Sequence, residues 1–83
     1  MATKLYVGNL PFQVTEDELR TMFAPHGTVE SVAIPVDRAT NQPRGFAFVE
    51  MSTADEGQKA IQMCDGQTMG NRQIRVNISQ PKH

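Results

Sequence analysis

The segment from Arg44 to Met51 (RGFAFVEM) constrains the fold of this 83-residue chain more than any other. Its residues alternate in type, with Ala47 and Val49 on one parity and Phe46 and Phe48 on the other. Successive side chains of a β-strand point to opposite faces of a sheet. The segment therefore predicts a strand that is apolar on both faces. The helices that pack on the sheet determine which face is buried in the core and which face is available for binding.

The remaining strand and helix signals give the order β-α-β-β-α-β. Helices begin after Thr15 and Thr53, and each threonine is followed three residues later by a glutamate, the pattern of a capping box. We predict an α+β, ferredoxin-like sandwich, in which one four-stranded antiparallel sheet carries both helices on one face. The strands are predicted at residues 5–7, 29–36, 44–51 and 73–78.

Length and composition limit the classes of protein. The chain fits one small domain over residues 1–83, with a core from about residue 4 to residue 78 and a tail from 79 to 83. Its single cysteine, Cys64, excludes an internal disulfide and a multi-cysteine zinc site, and we expect no metal and no cofactor. We also expect a cytoplasmic protein, because the sequence shows neither an apolar signal segment nor a membrane span, and we expect it to be a monomer.

Aromatic residues are predicted on the sheet face that no helix covers. Tyr6 points away from the core in the first strand, because Leu5 and Val7 point inward. Together with Phe46 and Phe48, it places three of the five aromatic residues on the open face. Such a patch fits a surface for protein contacts. It also fits a platform on which unpaired bases stack, with each base contributing about 1–3 kcal/mol.

Two segments resemble a known family. RGFAFVEM at 44–51 is similar to the octapeptide signature of the RNA recognition motif, and Leu5–Leu10 (LYVGNL) looks like its partner hexapeptide. The resemblance extends from Lys4 to about Lys82 and is greatest to small single-motif RNA-binding proteins of bacteria, including cyanobacteria. It implies a non-catalytic module that binds single-stranded RNA and acts in post-transcriptional regulation. Single-stranded DNA stays open as a second ligand, and neither a membrane nor a small-molecule substrate is expected.

The resemblance also implies roles for individual residues. Tyr6 and Phe48 are expected to stack on bases, and Phe46 to pack against a sugar or a base between them. Arg44, which opens the octapeptide, is expected to pair with a phosphate. Met51 replaces the aromatic residue with which the family ends the octapeptide, and its parity places it in the core.

Further candidates flank the aromatic residues, and each has a plain structural alternative. Arg75 and Asn77 share the open face of the last strand, where they either bind RNA or form a solvated edge. The tail residues Gln80 and Lys82 either fold over RNA or stay loose. Asn9 either contacts a base or serves the turn after the first strand.

Asn71 is a second departure from the family, because relatives commonly have glycine there before the last strand. Asparagine tolerates a left-handed backbone better than most residues, so we expect the turn to be kept.

Two other functions are alternatives to RNA binding. The first is protein binding by a domain of the same fold, but such domains often lose the exposed aromatic residues, which are present here. The second is catalysis of the acylphosphatase type, since acylphosphatases share a similar β-α-β-β-α-β order. They need an arginine in the loop after the first strand, and residues 9–13 (NLPFQ) contain no basic residue. We therefore expect no enzymatic activity.

The net charge of -1 argues at first against nucleic acid, because binders of RNA and DNA usually have an excess of positive charge. Acidic residues are, however, concentrated at the predicted helix starts. Glu50 is the residue on the aromatic face that least fits RNA binding. Outside the helices, six basic residues (Lys4, Arg38, Arg44, Arg72, Arg75 and Lys82) face four acidic ones (Glu30, Asp37, Glu50 and Asp65).

Overall fold

The structure, a computed structural model, describes residues 2–11, 13–42 and 44–79. Two helices and six strands follow one another in these ranges, and a 3-10 turn, Ala24–His26, extends the first helix. The elements are β1 (Thr3–Gly8), α1 (Glu16–Phe23), β2 (Val29–Ala33), β3 (Ala47–Met51), α2 (Ala54–Cys64), β4 (Thr68–Met69), β5 (Arg72–Gln73) and β6 (Arg75–Ile78).

Four strands form an antiparallel sheet in the order β2-β3-β1-β6, which confirms the predicted ferredoxin-like layout. Strands β1 and β3, which contain parts of the hexapeptide and octapeptide motifs, are thus neighbours in the centre of the sheet. Their register places Tyr6 directly opposite Phe48, and β6 places Asn77 on the other side of Tyr6. The sheet therefore brings the predicted aromatic residues of two distant segments side by side.

Both helices pack on the same face of this sheet, and the core lies between the two layers. Leu5, Ala47, Val49 and Met51 are completely buried on that face, as their parity predicts. Phe23 of α1 fills the space beneath them and is also completely buried. Met51 thus packs in the core and is not a substitute for an aromatic residue on the open face.

The helix caps explain where each helix begins. Thr15 and Glu18 form the reciprocal capping box that the sequence predicts. At the second helix Thr53 accepts a hydrogen bond from the backbone N–H of Glu56, at 3.1 Å. The Glu56 carboxylate accepts hydrogen bonds from the Ser52 hydroxyl and the Thr28 backbone N–H. These bonds lower the pKa of Glu56 and join α2 to the start of β2.

Two predicted strands are shorter than expected, for local reasons. The third strand begins at Ala47, not Arg44, because Gly45 has φ +92°, outside the extended region. The second strand ends at Ala33 because Pro35 has no N–H to donate to a ladder. It lies at the edge of the sheet, as a proline near its end requires.

The predicted final strand at 73–78 is divided. Its first residue belongs to a small hairpin in which β4 pairs with β5, and β6 pairs with β1. The buried Ile74 separates them. The turn before the last strand is kept, as expected, and its positive φ, +62°, belongs to Gly70 and not to Asn71.

Candidate nucleic-acid interface

Three aromatic rings meet on the open face of the sheet. The ring centres of Tyr6 and Phe46 are 5.8 Å apart, and the two planes are inclined by only 25°. Phe48 lies edge-on to both, with centres 6.0 Å from Tyr6 and 5.7 Å from Phe46. We call these three residues the ring cluster. Each ring is partly accessible, and Tyr6 is the most open at 37%.

Gly8 explains why the Tyr6 ring can lie flat along β1, and sequence reasoning missed it. The two residues share a face of the strand, and a Cβ at Gly8 would lie only 2.8 Å from Cε1 of Tyr6. Any larger residue would therefore push the ring away. A glycine two residues after an aromatic residue in the same strand is the signal that could have identified this role.

A second glycine positions Phe46. Gly45 has φ +92°, a conformation that residues with a side chain rarely adopt, and its carbonyl accepts a hydrogen bond from Leu10 N–H at 2.8 Å. This bond ties the entrance of β3 to the end of β1. The guanidinium of Arg44 is exposed, with its carbon 6.0 Å from the centre of the Phe46 ring. A cation thus lies beside the ring cluster.

Lys4 places another cation beside the ring cluster, and it was not among the predicted site residues. Its ammonium nitrogen lies 4.8 Å from the centre of the Phe48 ring, within the range of a cation–π contact. Lys4 precedes Tyr6 by two residues, so both project from the open face. The same strand periodicity that identified Tyr6 therefore contained the signal for Lys4.

The other predicted residues lie in different settings. Arg75 and Asn77 are exposed on β6, opposite Gly8 and Tyr6, and so belong to the open face. Asn9 has φ +58°; its amide donates to the Gln73 carbonyl at 2.7 Å and accepts from Arg72 at 3.1 Å. The nitrogen and the oxygen of the Asn9 side-chain amide thus both hold β5 against the end of β1. The predicted residues Gln80 and Lys82 lie outside the described residues.

A polar row follows the ring cluster along the same face. It consists of Ser31 on β2, Glu50 on β3 and Lys4 on β1, which lie opposite one another across the strands. The Ser31 hydroxyl donates to Oε1 of Glu50 at 3.2 Å. Among the described residues, the open face therefore combines aromatic surface, three exposed cations (Lys4, Arg44 and Arg75) and the carboxylate of Glu50.

Other parts of the described chain offer little chemistry. Residues 2–11, 13–42 and 44–79 contain no group of three His, Cys, Asp or Glu side chains placed to hold a metal ion. Cys64 is buried in the core, which raises the pKa of its thiol to about 11 and makes it a poor nucleophile. No helix among these residues has the length and apolar character needed to span a bilayer.

Comparison with known proteins agrees with this arrangement. RbpA of the cyanobacterium Nostoc sp., named for a proposed RNA-binding activity, is 47% identical over 94% of this chain and 76% of its own length. The 33 kDa chloroplast ribonucleoprotein of Nicotiana sylvestris is 48% identical over 90% of this chain, but only 23% of its own length.

Solved structures have the same fold. The crystal structure of RNA-binding protein PG1 superimposes with a TM-score of 0.90 at 32% identity and covers 98% of both chains. Sex-lethal protein in complex with RNA superimposes with a TM-score of 0.86 at 35% identity, over 93% of this chain and 47% of that one. The sequence profile of the RNA recognition motif matches residues 5–75. The chain therefore belongs to the RNA recognition motif family, and among its relatives are small cyanobacterial proteins with one such motif.

Proposed function

We propose that this protein binds single-stranded RNA on the open face of its sheet, by stacking bases on the ring cluster, and that it catalyses no reaction. The observation that carries the proposal is the position of three aromatic rings on the one sheet face that the helices leave uncovered. Aromatic residues of this size are ordinarily buried, and their joint exposure on one face is typical of a binding surface. Membership of the family and the RNA complex of a structural relative support RNA as that ligand.

The arrangement suggests a role for each group. Tyr6 and Phe48 offer ring surface to two bases, and Phe46 lies between them against a sugar or a base. Arg44 and Arg75 are exposed on either side and suit the phosphates. Gln80 and Lys82 remain candidates for closing over the RNA. Asn9 remains a candidate too, although its hydrogen bonds inside the fold favour a structural role.

The wider setting belongs to the same proposal. We place the protein in the bacterial cytoplasm, in post-transcriptional regulation, as a monomer whose 83 residues form one domain. Single-stranded DNA is a second candidate ligand, because stacking does not require the 2′-hydroxyl. The relative of similar size, RbpA, supports the single-domain organisation, since the match covers 76% of its length.

A titration with fluorescent oligonucleotides tests this function. Ten-nucleotide strands of uridine, adenosine or cytidine, their DNA counterparts and an RNA duplex are compared by fluorescence anisotropy. We expect at least one single-stranded RNA to bind at least tenfold more tightly than the duplex, whose paired bases cannot stack on protein rings. Failure of every single-stranded RNA to bind, or equal binding of the duplex, would contradict the proposal.

A further inference from the structure

A carboxylate lies on the open face, and stacking gives it no role. Glu50 follows Phe48 by two residues in β3, so both project from the same side of the sheet. The residue is half-buried, and Ser31 of β2 donates a hydrogen bond to its Oε1 at 3.2 Å. This hydrogen bond holds the carboxylate against the open face.

Glu50 forms no ion pair with any cation among the described residues. Lys4 lies directly across the strands, yet no ion pair joins the two within the described part of the chain. The Lys4 ammonium lies over Phe48 instead, 4.8 Å from the ring centre. A carboxylate can accept hydrogen bonds at about four lone-pair sites, and Ser31 uses only one of them. Glu50 thus has accepting capacity left for a ligand.

The chemistry of RNA limits what such a group can bind. Phosphates repel a carboxylate, so Glu50 weakens contact with the backbone and must gain from base N–H groups instead. The Watson–Crick edge of guanine presents two donors side by side, N1–H and the N2 amino group. They match the two oxygens of one carboxylate. Adenine and cytosine present one amino group on this edge, and uracil presents one imino N–H.

The positions of the side chains favour a base that already stacks on Phe48. Residues two apart in a strand project from one face about 7 Å apart, which brings the edge of such a base to Glu50. Residues paired across antiparallel strands have Cβ atoms about 5 Å apart, so Lys4 and Glu50 can reach neighbouring atoms of one base. Guanine has its O6 acceptor next to N1–H, and an ammonium released from the Phe48 ring can donate to it.

We propose that Glu50 is a specificity-determining residue: it accepts the N1–H and N2–H groups of a guanine stacked on Phe48, while Lys4 donates to O6. The inference rests on the proposed function and adds a base preference to it. It also accounts for an acidic side chain in the middle of an RNA-binding face, because the carboxylate favours guanine over the other bases at the expense of affinity for the backbone.

Single-guanosine oligonucleotides test the proposal. Hexauridine is compared with six hexamers that each carry one guanosine, by fluorescence anisotropy with the full chain. We expect at least one guanosine hexamer to bind about tenfold more tightly than hexauridine, the range of one good bidentate contact. Replacing that guanosine with inosine, which lacks the N2 amino group, should remove a large part of the preference.

Two variants make the test specific. Glu50→Gln replaces one acceptor oxygen by a donor that opposes the guanine N–H groups. We therefore expect this variant to bind the guanosine hexamer and hexauridine with affinities within about twofold of each other. Glu30→Gln is the matched control, because this exposed glutamate of β2 undergoes the same change of charge at a site outside the proposed contacts. We expect it to keep the tenfold preference. Amide spectra check that both variants fold.

The possible outcomes separate this inference from the proposed function. A tenfold guanosine preference that survives in Glu50→Gln would overturn the role of Glu50. A wild type with no guanosine preference at any position would also overturn it. In that case, hexauridine binding that Phe48→Ala abolishes would leave the proposed function standing. If the wild type binds no hexamer at all, the proposed function fails, and the role of Glu50 fails with it.

Discussion

The two faces of the central strands contain apolar residues of similar size but use them differently. On the inner face Leu5, Val49 and Met51 are completely buried beneath the helices. On the outer face Tyr6 and Phe48 lie opposite each other, and none of the described helices or strands covers them. The inner residues stabilise the fold, whereas the outer rings contact one another and the cationic side chains of Lys4 and Arg44. The comparison teaches that hydrophobic residues in one strand can serve stability and binding separately.

Removing both phenylalanines of the outer face should have the largest effect. Phe46→Ala with Phe48→Ala deletes two stacking surfaces, each of which contributes about 1–3 kcal/mol per base. We expect the affinity for single-stranded RNA to fall by at least about 30-fold in a fluorescence titration, while the amide spectrum stays that of a folded domain. A double variant that binds RNA normally would contradict stacking.

The same substitution on the inner face should act on folding. Phe23 is completely buried, so Phe23→Ala should lower the free energy of unfolding by about 3–5 kcal/mol in urea denaturation. Phe48→Ala is the matched control, and we expect it to cost only about 1 kcal/mol because its ring is partly solvated. Equal losses of stability in the two variants would contradict the division between the faces.

The buried thiol beneath the sheet gives the inner face a pH dependence. The folded-state pKa of Cys64 is raised to about 11 by burial, whereas an exposed thiol ionises near 9.0. The neutral thiol therefore makes its full contribution to the free energy of unfolding below pH 9.0. This contribution is lost as the pH rises towards 11. We expect this loss to reach about 2–3 kcal/mol at 1.36 kcal/mol per pKa unit. Denaturation of Cys64→Ala, which has no thiol to ionise, should show a smaller fall over this range.

The outer face should show a modest dependence on salt. Three exposed cations, Lys4, Arg44 and Arg75, lie on it among the described residues. With about 0.7 counterions released per neutralised phosphate on a single strand, the slope of log affinity against log salt should not exceed about 2. Affinity should therefore fall by no more than about 20-fold between about 50 and 200 mM salt. A much steeper slope would contradict this account, because it would require phosphate contacts by basic residues other than these three.

Alternation in the sequence was sufficient to predict the two faces. A strand has a side-chain period of two, so the parity of Ala47 and Val49 identified the opposite parity of Phe46 and Phe48 without any long-range information. The capping box at Thr15 was predictable for the same reason, because its two partners are three residues apart. Local patterns of this kind determined the layers, the sheet and the position of the rings.

Features that depend on the conformation of a long side chain or on very short strands were not predictable. Lys4 was counted only as a charge, since its contact with Phe48 depends on the conformation of a long side chain. The role of Gly8 depends on the direction of the Tyr6 ring. The hairpin of β4 and β5 has two residues in each strand, too few for a periodic signal. The roles of individual site residues remain predictions.

Contacts between protein rings and RNA protons test stacking most directly. The full chain, isotope-labelled and bound to an unlabelled single-stranded RNA, is examined for intermolecular nuclear Overhauser effects. We predict contacts from the rings of Tyr6, Phe46 and Phe48 to base and ribose protons, with upfield shifts of the base protons, and none from the buried ring of Phe23. Contacts confined to the helices, with none from the ring cluster, would contradict the account.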